Sequence, residues 1–210
     1  MKQALKTVIK RDKDDKKTKQ FVNNPFYEAF RKSDLVNSIA LFTDVSLNPK
    51  LKLGVGAYLV VPASFLEVSP HSSEISELAK RLVVRRFEGT SSTTLEVQTV
   101  LWALEDYRNA LKVSGLRKLH VYSDSQCVAG LLRRRPKLEV NGFHCKRTKR
   151  LLKNAFLYRK FYEFYDELGF EVIKVAGHTR SCYRDTVHRI FSLVDKQVRK
   201  ALNLWIGEPE

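Results

Sequence analysis

Cysteine is scarce in this 210-residue sequence: Cys127, Cys145 and Cys182 are three in number, and no two share a C-x-x-C spacing. An odd, scattered set supports neither a disulfide framework nor a thiolate zinc site, and it suits a reducing compartment. Long apolar runs are missing as well. No stretch approaches the ~20 residues that a membrane-spanning helix needs, and the N-terminus lacks the apolar core of a secretory signal. A cytoplasmic protein is expected, with no membrane association. Acidic residues are also few, 23 Asp and Glu against 38 Lys and Arg, for a formal charge of +15. That excess favours a polyanionic partner, with nucleic acid first. No basic amphipathic stretch stands apart from the expected core, which argues against an anionic membrane surface.

What is present is enough for one domain with a full core. Residues 1–37 read as a basic N-terminal extension. Its stretch 10–19 alternates charges without an apolar face and is expected to be solvated. A turn at Asn23-Asn24-Pro25 and a short helix over 26–30 follow. The domain is expected over 38–210. Strands are predicted at 38–46, 53–61, 82–87, 119–123 and 170–175, and helices over 95–110, from 126, and over 186–203. Gly54 and Gly56 lie within the second strand, where a bulge or a close backbone approach is expected. A strand that follows a helix crossover suggests a parallel neighbour, hence a mixed sheet.

Between Arg133 and Lys160 stand eleven Lys or Arg and one acid, Glu139. From within it onward, Leu151, Leu152, Ala155, Tyr158, Phe161, Tyr162, Tyr165 and Leu168 recur at helical spacing. The pattern predicts an amphipathic helix, aromatic inward and basic outward. Arg147, Lys149, Arg150 and Lys153 are its candidate phosphate contacts.

Three acidic stretches organise the chain. Asp44 and Asp124 each end an apolar run that reads as a strand. Glu96 opens a segment with Val97, Val100, Leu101 and Leu104 at helical spacing, so it belongs to the first turn of a helix on the sheet. Taken singly, each has an ordinary explanation: a turn cap, a first-turn Glu on a helix dipole, an N-cap. Converging, three carboxylates would favour a hard divalent cation with oxygen ligands.

In this order the motifs resemble the ribonuclease H family over residues 38–204. Asp44-Val45-Ser46 with Asn48-Pro49 and the Gly54-x-Gly56 strand is similar to the family's Asp-Gly-Ser and Asn-Pro-Gly turn. The connection 90–96 is similar to its Thr-rich run into Glu, Tyr122-Ser123-Asp124-Ser125-Gln126 to its Tyr-Thr-Asp-Ser-Gln, and Val175-Ala176-Gly177-His178 to its Val-x-Gly-His. The resemblance implies an α/β, ribonuclease H-like fold: a mixed five-stranded sheet with helices on both faces. It implies an endonuclease that cleaves the RNA strand of an RNA–DNA hybrid with two Mg²⁺ ions, Mn²⁺ being a possible substitute. No small-molecule cofactor is implied, and a monomer is expected. Asp44 would bridge the metals, Glu96 and Asp124 would complete one each, and Asp195 would be the fourth carboxylate. His178 would assist proton transfer or product departure. Asn48, Ser92, Thr93 and Gln126 would line the hybrid groove.

The sequence departs from the family at Val45, where Gly is usual, at Ser92-Thr93, where a pair of Asn is common, and at Ala176, where Lys is common. Two residues compete for the fourth carboxylate. Asp185 is nearer His178 but sits among Arg184, His188 and Arg189, whereas Val194-Asp195-x-x-Val198 keeps the family's helical pattern. Two other readings are a resolvase- or integrase-like nuclease of the same fold, and a catalytically silent module that binds hybrid or double-stranded RNA.

Overall fold

The computed structural model describes residues 38–68, 70–114, 118–176 and 185–207. Residues 1–37 with the helix expected at 26–30, Gly115, Cys182 and His178 lie outside the described residues. β1 (Ser38–Asn48) and β2 (Leu53–Pro62) form an antiparallel hairpin. Asn48 closes its turn, with Oδ1 accepting from the backbone N–H groups of Lys50 and Leu51. β3 (Val83–Glu88) pairs antiparallel with β2. β4 (Lys118–Ser123) runs parallel to β1, and β5 (Glu171–Lys174) parallel to β4. The result is a mixed five-stranded sheet in the order β3-β2-β1-β4-β5.

The helices are α1 (Ser72–Leu78), α2 (Ser92–Ser114), α3 (Gln126–Ala129), α4 (Leu131–Val140), α5 (Ala155–Leu168) and α6 (Thr186–Ile206). They cover both faces. On one, Ile39, Leu41, Tyr58 and Val60 meet Val97, Val100 and Leu104 of α2 and Phe161 of α5. On the other, Ala40, Phe42, Ala57 and Leu59 meet Ile190, Val194 and Val198 of α6. A strand buried on both sides must be apolar on both, which is why β1 shows no clean alternation. The aromatic stripe of α5 is core: Tyr158, Phe161, Tyr162 and Phe164 are buried.

The two glycines of β2 seat α2. A Cβ on Gly56 would stand 2.1 Å from Thr99 Oγ1, and one on Gly54 would stand 2.5 Å from Leu95 Cδ2. Close approach, not a bulge, is their reason, since both keep regular pairing with β1 and β3. Gly56→Ala is therefore expected to lower stability by about 1–3 kcal/mol, as overpacking does. Urea denaturation measures it, and adding Thr99→Ala, which removes the colliding hydroxyl, should recover part of the loss.

Two expectations need correction, and one helix was not foreseen. α2 begins at Ser92, so Ser92 and Thr93 belong to its first turn and Glu96 is its fifth residue. Ser and Thr favour caps over helix interiors, which hides that start in the sequence. α5 begins only at Ala155, so Arg147, Lys149, Arg150 and Lys153 are on the preceding loop and not on a helix. Left-handed backbone at Gly142, Phe143 and Lys149 interrupts the helix there. The Lys149 N–H donates to the Cys145 carbonyl, and the Cys145 N–H to that of Arg150, in a tight turn. α1 has no counterpart in the sequence pattern: seven residues with Ile75 and Leu78 buried carry too short an apolar repeat.

Candidate active site

β1 and β4 place two carboxylates side by side. Their parallel pairing sets Phe42 opposite Tyr122, and the two rings stack with centroids 4.7 Å apart. Asp44 and Asp124 each lie two residues further on. Asp124 directly follows the end of β4, and Asp44 lies within β1 just past the last residue paired with β4, so the two fall at the carboxyl end of the parallel pair, where open α/β sheets bind ligands. Thr43, Asp44, Val45, Glu96, Ser123 and Asp124 line one open depression there.

Asp44 shares the face of Phe42 and so lies toward α6. It is only 9% exposed. Burial pushes its carboxyl up to about 8; the Val45 backbone N–H opposes the rise, the charges of Asp124 and Asp195 add to it, and Arg199 opposes it. Asp195 thus acts on Asp44 from the third turn of α6, and its own Oδ1 accepts from Arg199 Nε at 2.8 Å. Asp185 does something else. It N-caps α6, accepting from the His188 N–H at 2.9 Å, and its Oδ1 stands 2.7 Å from His188 Nδ1.

Glu96 arrives from the other layer. Its Oε2 accepts from Ser125 Oγ at 2.6 Å and its Oε1 from Ser92 Oγ at 3.3 Å. Ser125 also N-caps α3, accepting from Val128 N–H at 3.1 Å, while its own N–H donates to Ser123 Oγ. One hydroxyl therefore ties Glu96 to the strand end that carries Asp124. The cap that the sequence pattern allowed for Asp124 belongs to Ser125. Asp124 is exposed. A small polar residue ahead of a helix start was the available signal for Ser125. Nothing in the sequence singled out Arg199.

The groove residues are spread around this centre. Ser92, Thr93 and Gln126 are exposed, and Asn48 is engaged in its own turn. Arg147, Lys149, Arg150 and Lys153 are all exposed. Their loop is tied to the start of α2, where Thr94 Oγ1 donates to Asn154 Oδ1 at 3.0 Å. His178 lies outside the described residues.

The sequence profile of the RNase H family matches residues 36–198. The chain belongs to the RNase H family. No curated protein matches the sequence. Among solved structures, the fold is similar to the RNase H domain of PFV in solution, at 16% identity and a TM-score of 0.54, over 80% of this chain and 94% of that one. It is similar to a foamy viral protease-reverse transcriptase in complex with RNA/DNA hybrid, at 14% identity and a TM-score of 0.52, over 78% of this chain and 19% of that one. A foamy viral protease-reverse transcriptase in complex with dsDNA matches at 12% identity and a TM-score of 0.50, over 79% and 96%. At such identities the structures speak for the RNase H fold.

The donor set suits a hard divalent cation. Asp44, Glu96 and Asp124 offer carboxylate oxygens at one depression, Thr43 and Ser123 add hydroxyls, and Asp44 is raised first by burial and then by the neighbouring charges of Asp124 and Asp195. Among the described residues, no three His, Cys, Asp or Glu side chains already stand as a ligand cage. The donors are gathered but not closed.

Proposed function

We propose that this RNase H family chain is an endoribonuclease that cleaves the RNA strand of RNA–DNA hybrids by two-metal-ion hydrolysis. The observation that carries this reading is the meeting of Asp44, Glu96 and Asp124 at one depression, with the charge of Asp195 acting on Asp44 from α6. Asp44 would hold both ions, Glu96 and Asp124 one each, and Asp195 would complete the set. Mg²⁺ bound there, or Mn²⁺ in its place, supplies activation of a water and stabilisation of a leaving oxygen in an in-line displacement. Ser125 keeps one Glu96 oxygen in place and leaves the other turned to Ser92, so Glu96 is oriented before any ligand arrives. His178 would assist proton transfer or product departure.

Substrate choice follows from what surrounds the carboxylates. Ser92, Thr93 and Gln126 present hydroxyls and an amide suited to 2′-hydroxyls, which DNA lacks. Asn48 positions the β1–β2 turn at the groove's edge. The foamy viral relative solved with RNA/DNA hybrid favours the same substrate class. The basic loop beside α2 would take backbone phosphates.

The test is cleavage of an end-labelled RNA–DNA hybrid with Mg²⁺, set against single-stranded RNA, double-stranded RNA and duplex DNA. Cleavage confined to the RNA strand of the hybrid, and lost with chelator, is expected. Cleavage of DNA junctions without hybrid cleavage would replace the substrate by that of a resolvase. Metal-independent binding with no cleavage would make the chain a silent binding module. A second prediction concerns affinity. Changing Arg147, Lys149, Arg150 and Lys153 together to Gln should weaken hybrid binding and flatten its salt dependence by roughly one unit of slope for each phosphate no longer neutralised. Fluorescence anisotropy over a salt series reads this, and an unchanged slope would mean that the loop faces away from the hybrid.

A further inference from the structure

We infer that Arg199 is a built-in counter-charge for Asp195, which a divalent cation must displace before it can occupy the Asp195 side of the site. The inference rests on the carboxylate-site reading above and deepens it. Arg199 lies one helical turn beyond Asp195 on α6, and its Nε donates to Oδ1 at 2.8 Å. The Arg199 side chain is 63% exposed and that of Asp195 31%. The guanidinium thus occupies one oxygen of a partly exposed carboxylate that a cation would also need. Its influence extends past Asp195: Arg199 favours ionisation of Asp44, while Asp124 and Asp195 oppose it.

This arrangement has two consequences for a cation. Ligation by Asp195 competes with a charge-assisted hydrogen bond to the same carboxylate. It also brings a divalent charge beside a fixed positive one, and like charges repel. Both subtract from affinity at the Asp195 side and leave the Asp44–Asp124 side less affected. Displacement is still accessible, because an exposed i,i+4 pair is individually weak and the Arg side chain is long and solvated. Arg199 is thus a positioning residue: in the cation-free protein it partly neutralises the crowded carboxylates, and it ranks the two halves of the site by affinity.

Calorimetric titration of the full chain with Mg²⁺, and separately with Ca²⁺, at one fixed pH and low ionic strength tests this without turnover. Arg199→Gln is expected to bind cation about three- to tenfold more tightly than the native chain, the size of a single screened charge contact. That gain should shrink toward none as NaCl rises, because screening removes it. Arg199→Lys keeps the charge and should stay near the native affinity, and Asp195→Asn should bind more weakly. Equal or weaker binding by Arg199→Gln, or a gain that salt leaves untouched, would overturn the inference while the site reading stands. No cation binding by the native chain would overturn both.

Discussion

Asp124→Asn is expected to lower single-turnover cleavage of the hybrid by roughly a thousandfold or more, because a lost metal ligand removes several kcal/mol of transition-state stabilisation. Hybrid binding should persist and rise slightly, since the change deletes one negative charge facing the phosphates. The split is informative because Asp124 is exposed at a strand end and the α3 cap is Ser125. A folding defect is thus not the expected cause of lost activity. The same assay separates the two candidates for the fourth carboxylate. Asp195→Asn should reduce cleavage with little effect on stability. Asp185→Ala should leave cleavage near native and cost about 0.5–2 kcal/mol, the usual worth of an N-cap. Retained turnover in Asp124→Asn would sink the assignment of the site.

The second large effect is on stability against pH. In the unfolded chain Asp44 titrates near the ordinary value of about 3.9. In the folded, cation-free chain its carboxyl is pushed up to about 8. Between those values the folded state holds a proton that the unfolded state has lost, so Asp44 makes stability fall as pH rises from about 4 to about 8. Below and above that window it contributes no slope. A shift of this size corresponds to at most about 6 kcal/mol across the window. Asp44→Asn, neutral at every pH, should abolish this component and be the more stable protein at pH 8 without divalent cation. Millimolar Mg²⁺ should recover stability at high pH in the native chain, because ligation requires the ionised carboxylate and binding favours the folded state. Urea midpoints between pH 4 and 9, with and without Mg²⁺, measure all of this. Parallel curves for the native chain and Asp44→Asn would mean that Asp44 ionises normally in its buried place.

Much of this site was readable because its chemistry is local. Asp124 directly follows the apolar run of β4, and Asp44 breaks that of β1, although β1 itself continues to Asn48. Glu96 was readable from helical spacing, although the helix start was not: hydroxyl residues at 91–94 look like a connection until Ser91 and Thr94 are seen bonding to each other across the first turn. The basic residues were legible as charge and misplaced as structure. Helical spacing continued back to Leu151, but the left-handed backbone at Phe143 and Lys149 is a matter of how the loop folds over α5, which spacing does not encode. Leu151 accordingly is exposed and pairs with His144 in a short bridge.

By itself, then, the sequence determined the five strands, the longer helices without all their starts, and their order, because strand burial and helical periodicity are written within a few neighbours; the short α1 escaped it. Only the tertiary structure shows how the acidic positions are placed. That Asp185 caps α6 while the charge of Asp195 reaches Asp44 depends on where α6 seats Val194 and Val198 on the sheet. The double service of Ser125 depends on α2 reaching the end of β4, and that in turn needs Gly54 and Gly56 to let α2 settle. The raised Asp44 carboxyl comes from its burial and from groups far apart in the chain. Their energies exist only once packing has excluded water and set the distances.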